Sequence, residues 1–158
     1  MEHSTKVGIS FGLTSGVITT LGLMVGLNAG THSQLAVVGG ILTIAIADAF
    51  SDALGIHISE ESENKHTTKE IWQSTLATFF SKLLFALTFL VPVLMFRLDV
   101  AVLVSIVWGL LVLSVLSYRM AKEQNKKAWN AIAEHMSIAV VVIFATHFTG
   151  VWIAAMFA

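Results

Sequence analysis

The chain has 158 residues, of which 56% are hydrophobic and only 12% charged. Soluble domains carry about 25% charged residues, so this is the composition of a membrane protein. The net charge of −1 gives no basis for nucleic-acid binding, and the lack of cysteine excludes disulfides, thiolate metal sites and cysteine catalysis. The segment MEHSTKVGISFG is expected to be retained rather than cleaved as a signal, because its apolar run continues too far and no cleavage site follows.

Five apolar stretches, at 8–28, 35–58, 72–96, 100–118 and 132–157, are long enough for a hydrocarbon core, which needs about 20 residues. They predict an all-α bundle of five transmembrane helices forming a single domain, with 59–71 as a short acidic cytoplasmic linker. Lys6, Lys65, Lys69, Arg119, Lys122, Lys126 and Lys127 fall on one side, and Arg97 alone on the other. By the positive-inside rule the N-terminus is cytoplasmic and the C-terminus outside. The setting is a multi-pass membrane protein, in the cell membrane rather than an organelle membrane.

The first stretch holds two glycine ladders, Gly8, Gly12 and Gly16, then Gly22, Gly26 and Gly30. Small residues every four positions let membrane helices approach closely. The second stretch continues the pattern with Gly39, Gly40 and Gly55. These two helices are expected to form the interior or a dimer seam. Pro92, the single proline, is expected to bend the third helix.

Asp48 and Asp52 lie one turn apart on the same face of the second helix. A carboxylate in hydrocarbon costs roughly 2.5–3.5 kcal/mol even on the lenient insertion scale, so such groups are functional by default. The pair predicts a cation or proton site. Ser15 and Lys82 fall in the same half of the membrane, and Lys82 is either their counter-ion or snorkels to the interface. Beyond the pair, GIHISEESENKHTTKE supplies His57, Glu60, Glu61 and Glu63, a set that suits Mn²⁺, Fe²⁺ or Zn²⁺ and would concentrate cations at a pore mouth. Glu134 and His135 open the fifth helix at the same face and are candidates for proton coupling.

The segments FGLTSGVITTLGLMVGLNAG and IADAFSDALGIHISEESE resemble the vacuolar iron transporter family. Gly12, Leu13, Gly16, Thr19 or Thr20, Leu23 and Gly26 fit its first-helix pattern, and Ser51, Gly55 and Ser59 its second. The resemblance implies a homodimer that carries Fe²⁺, and often Mn²⁺, out of the cytoplasm in exchange for protons. Ser15 stands where the family usually has an aspartate, Asp52 where it has methionine and Ile56 where it has glutamate. The long cytoplasmic metal-binding domain of some members is missing, which suggests a minimal, membrane-only member.

On this reading Asp48, Asp52 and Ser15 bind a transported divalent metal, with His57, Glu60, Glu61 and Glu63 collecting it. Lys82, Glu134 and His135 serve as counter-ion or proton carriers. No resident cofactor is expected. The partners are lipid, the metal and a second copy of the chain. The alternative is a small structural or regulatory membrane subunit, in which the Asp and Lys groups form a structural polar network. An enzyme is not expected, because no catalytic spacing is present.

Overall fold

The computed structural model describes residues 3–157. They form α1 (His3–Thr31), α2 (Gln34–Ser62), α3 (Thr68–Thr88), α4 (Leu90–Met95), α5 (Leu98–Glu123) and α6 (Ala128–Phe157). With α3 and α4 taken as one interrupted span, five helices are long and apolar enough to cross a membrane. Among the described residues there are no strands. The helices overrun the apolar stretches at most of their ends. The linker expected at 59–71 therefore shrinks to a turn between Ser62 and Thr68.

Local chemistry sets the ends. Ser33 caps α2 by accepting from the Ala36 amide, and Thr67 caps α3 in a reciprocal capping box with Glu70. Asn64 and Asn125 turn the chain at φ 53° and 54°, a region asparagine tolerates. The helix breaks at Phe89, after Thr88. Pro92 cannot donate to the Thr88 carbonyl four residues back, and its ring crowds that oxygen. The expected bend is thus a full interruption.

The first helix is the centre of the bundle, in contact with α2, α3, α5 and α6. Its two glycine ladders serve two different neighbours. Cβ atoms placed on Gly8, Gly12 and Gly16 would run into Ser74, Thr78, Ser81 and Lys82 of α3. Cβ atoms on Gly22, Gly26 and Gly30 would meet Val142, Thr146 and Gly150 of α6 at 3.0–3.3 Å. Both ladders are therefore seams within one chain. Gly39 and Gly55 of α2 meet nothing within 4 Å. The first helix is interior as expected, but α2 buries only one side.

The apolar core occupies one half of the bundle. It is built from Val17, Leu21, Met24 and Val25, with Val37 and Ile41, Phe89 and Val93, and Ala101 and Val102. The other half has the α1–α3 glycine seam in its place. Outward faces carry large apolar side chains throughout, including Leu54, Phe80, Leu103, Phe144 and Phe148. Contiguous apolar surface of this kind fits contact with lipid.

Valine at Gly12 would push into the Thr78 carbonyl and should cost roughly 1–3 kcal/mol as overpacking. Alanine at Gly55, which faces open space, should be neutral or stabilising. Thermal unfolding of the two variants in one detergent checks the contrast.

Candidate functional site

The α1–α3 seam places Lys82 where its side chain can reach only inward. Gly16 of α1 lies against the Lys82 backbone and Cγ at 3.2–3.4 Å from its would-be Cβ. The ammonium is consequently enclosed, and the residue is only 1% exposed. Snorkelling to the interface is thereby ruled out.

Three acceptors converge on this ammonium. It donates to Ser15 Oγ at 2.8 Å and to Asp52 Oδ2. It also ion-pairs with Asp48 Oδ2 at 2.5 Å, without the alignment of a hydrogen bond. The spacing of four on α2 does what it should: both carboxylates meet one cation from one face. With all three groups ionised, the cluster keeps one uncompensated negative charge. The carboxylates are less enclosed than the lysine, with side chains 24% and 18% exposed.

At 1.5 Å per residue, Asp52 lies about 15 Å from the Ser62 end of α2, and Lys82 about 21 Å from the start of α3, so the cluster lies well inside the length of both helices.

The remaining candidates are dispersed. Glu60 is buried and accepts from Ser74 Oγ at 2.6 Å. His57 turns to the outer side of α3, with Nδ1 2.9 Å from Thr75 Oγ1 and its ring against the edge of Trp72. Glu61 and Glu63 are exposed, and Glu63 pairs with His66 at 3.8 Å. His135 bonds Ser117 at 2.7 Å between α5 and α6, while Glu134 is exposed beside it. Among the described residues no three His, Asp or Glu side chains are grouped to hold a metal ion. The expected gathering of His57, Glu60, Glu61 and Glu63 at one mouth is not formed within one chain.

Sequence reading missed the buried hydroxyls. Ser74 and Thr78 continue the Lys82 row of α3 toward the α2–α3 turn, and Thr20 continues the glycine row of α1 past Gly16. All three are fully buried, with Ser105 of α5. The signal was available as matching four-residue spacings, Gly8–Gly12–Gly16 on α1 and Ser74–Thr78–Lys82 on α3.

The fold and cluster fit a multi-pass helical membrane protein with a charged centre built into its bundle. No family model matches the chain, and no curated protein matches it at significant similarity.

Replacing Lys82 with Met should cost about 3 kcal/mol, the low end for breaking a buried pair, because the carboxylates retain some exposure. Adding Asp48→Asn and Asp52→Asn to Lys82→Met should recover most of that loss. Unfolding midpoints for the single and triple variants check it.

Proposed function

We propose that the chain is a proton-coupled transporter of a divalent cation, Fe²⁺ or Mn²⁺, acting as a homodimer. One observation carries this reading: two carboxylates within a candidate membrane span share a single enclosed ammonium and keep part of their own surface exposed. Charged groups inside a span are costly and mark ion or proton pathways by default. The uncompensated charge favours a cation, and carboxylate oxygens suit a divalent one.

The open side borders a particular surface. Gly39, Thr43, Ala47, Ser51, Gly55 and Ser59 recur every four residues along α2, and all are exposed. Ser51 and Gly55 lie one turn from Asp48 and Asp52, on the adjoining strip of the helix. Such a small-residue row is the usual means of close helix approach in lipid. A second copy seated there would bring its own Asp48 and Asp52 toward the first pair, supplying the ligands that one chain lacks. The motif resemblance in α1 and α2 supports the same arrangement.

Lys82 supplies the coupling. A tethered ammonium and a mobile cation compete for the same oxygens. Protons and metal then exchange, because carboxylates release metal when protonated. With the basic turns placed in the cytoplasm, the cation leaves the cell as protons enter.

A second reading is favoured by a different observation. Lys82 is hydrogen-bonded to Ser15 and Asp52 and ion-paired with Asp48, so its charge is met within the chain, as a purely structural network would require. That would make the chain a structural or regulatory membrane subunit.

Flux of Fe²⁺ and Mn²⁺ into proteoliposomes under an imposed pH gradient separates the two. Transport should depend on the gradient and fall by roughly tenfold or more in Asp48→Asn and Asp52→Asn proteins that fold and assemble normally, as expected when a required ligand is removed. Absence of flux from well-folded parent protein, with assembly lost in Asp52→Asn, would favour the structural subunit.

A further inference from the structure

A polar cavity of about 370 Å³ lies in the crook where α5 ends and α6 begins, and the cation site makes no use of it. Its walls include Gln124 at the end of α5, Lys126 and Lys127 of the turn, and Asn130 and Glu134 of α6. His135 also lines it, held by its bond with Ser117 Oγ at 2.7 Å. Sites for small ligands start at about this volume. The charges in this cavity are free. The Lys126 and Lys127 ammoniums and the Glu134 carboxylate are exposed, with no hydrogen-bond or ion-pair partner among the described residues. Glu123 is already taken by Lys6 of α1 at 3.1 Å. The cavity therefore offers two cations and one anion.

A second cavity, of about 600 Å³, adjoins the first and shares Met120, Gln124 and His135 with it. It follows α1 from Lys6 past Val7 and Phe11 to Thr14. Those eight residues of helix cover about 12 Å and lead into a candidate membrane span. Trp129, two residues beyond Lys127, is 78% exposed, as aromatics at a membrane–water boundary are. The two cavities together are charged at the boundary and largely apolar toward the span. An amphiphile with a charged head and an apolar tail has that shape.

The charges narrow the head. Arg119, Lys122, Lys126 and Lys127 form a basic stretch that would draw any anionic lipid surface. The cavity is more selective, because Glu134 opposes a headgroup that carries only negative charge. A phosphate joined to a primary ammonium answers all three groups: its oxygens accept from the two lysines, and its N–H groups donate to the carboxylate. We propose that the joined cavities bind one phosphatidylethanolamine molecule per chain, with its phosphate on Lys126 and Lys127, its ammonium on Glu134 and an acyl chain along Val7 and Phe11. The bound lipid ties the start of α1 to the α5–α6 turn. This site requires only that the bundle lies in a bilayer, so it stands apart from the cation-exchange reading.

The test takes full-length protein from bilayers with equal amounts of phosphatidylethanolamine, phosphatidylcholine and phosphatidylglycerol into mild detergent. Native mass spectrometry then counts the lipid retained per chain. Phosphatidylcholine keeps the phosphate but has no N–H to donate, and phosphatidylglycerol has no ammonium. The parent should retain one phosphatidylethanolamine, at roughly tenfold excess over either competitor, as one charged hydrogen bond would give. Glu134→Gln should erase that preference. Joint Lys126→Gln and Lys127→Gln should lower phosphatidylethanolamine retention by about tenfold or more. Lys122→Gln removes the same charge from the same stretch but lines neither cavity, and should retain the lipid like the parent. Equal retention of the three lipids, or an excess of phosphatidylglycerol, would overturn the site in favour of a merely basic surface. So would an unchanged preference in Glu134→Gln, or a loss in Lys122→Gln as large as in the double variant.

Discussion

The structure depends on one buried ammonium. An unpaired lysine buried within a membrane span would cost several kcal/mol, so Lys82 demands anionic acceptors from whatever packs against α3. Those acceptors come from two other helices, Ser15 on α1 and Asp48 and Asp52 on α2. The cluster therefore fixes the register of three helices at once. A shift of α2 by one turn would move a carboxylate away from the lysine and leave charge unpaired.

Glycine makes that arrangement possible. A lysine stem running between two helices needs room, and the room comes from Gly12 and Gly16, where α1 has no side chain. The same seam admits the Ser74–Thr78 row below. Apolar packing then takes over in the other half of the bundle, where Val17, Leu21, Met24, Ile41 and Phe89 form a conventional core. Stability and chemistry are separated along the helix axes: an apolar core toward the α1–α2 turn, and a polar seam toward the α2–α3 turn. The break at Phe89 falls in the apolar half, where the bundle has close-packed side chains to hold the interrupted helix.

The two sides of α2 divide the labour. One side pairs its carboxylates with Lys82, while the other shows small residues with no neighbour in the chain.

Much of this was legible in the sequence. Hydropathy determined five spans, because every backbone group in lipid must be satisfied within a helix and about 20 apolar residues are needed to cross. The spacing of four alone put Asp48 and Asp52 on one face, because helix geometry is local. Helix ends were less legible, since polar turns such as the one closing α2 extend beyond the apolar stretch. Tertiary structure alone decided the rest. It chose between counter-ion and snorkelling for Lys82, because that choice depends on which helix lies against α3. It assigned the two glycine ladders to α3 and α6 within one chain, a matter of partners that spacing cannot name. It also scattered His57, Glu60, Glu61 and Glu63, which adjoin in sequence: His57 meets Thr75 and Trp72, Glu60 meets Ser74, Glu63 meets His66, and Glu61 is exposed.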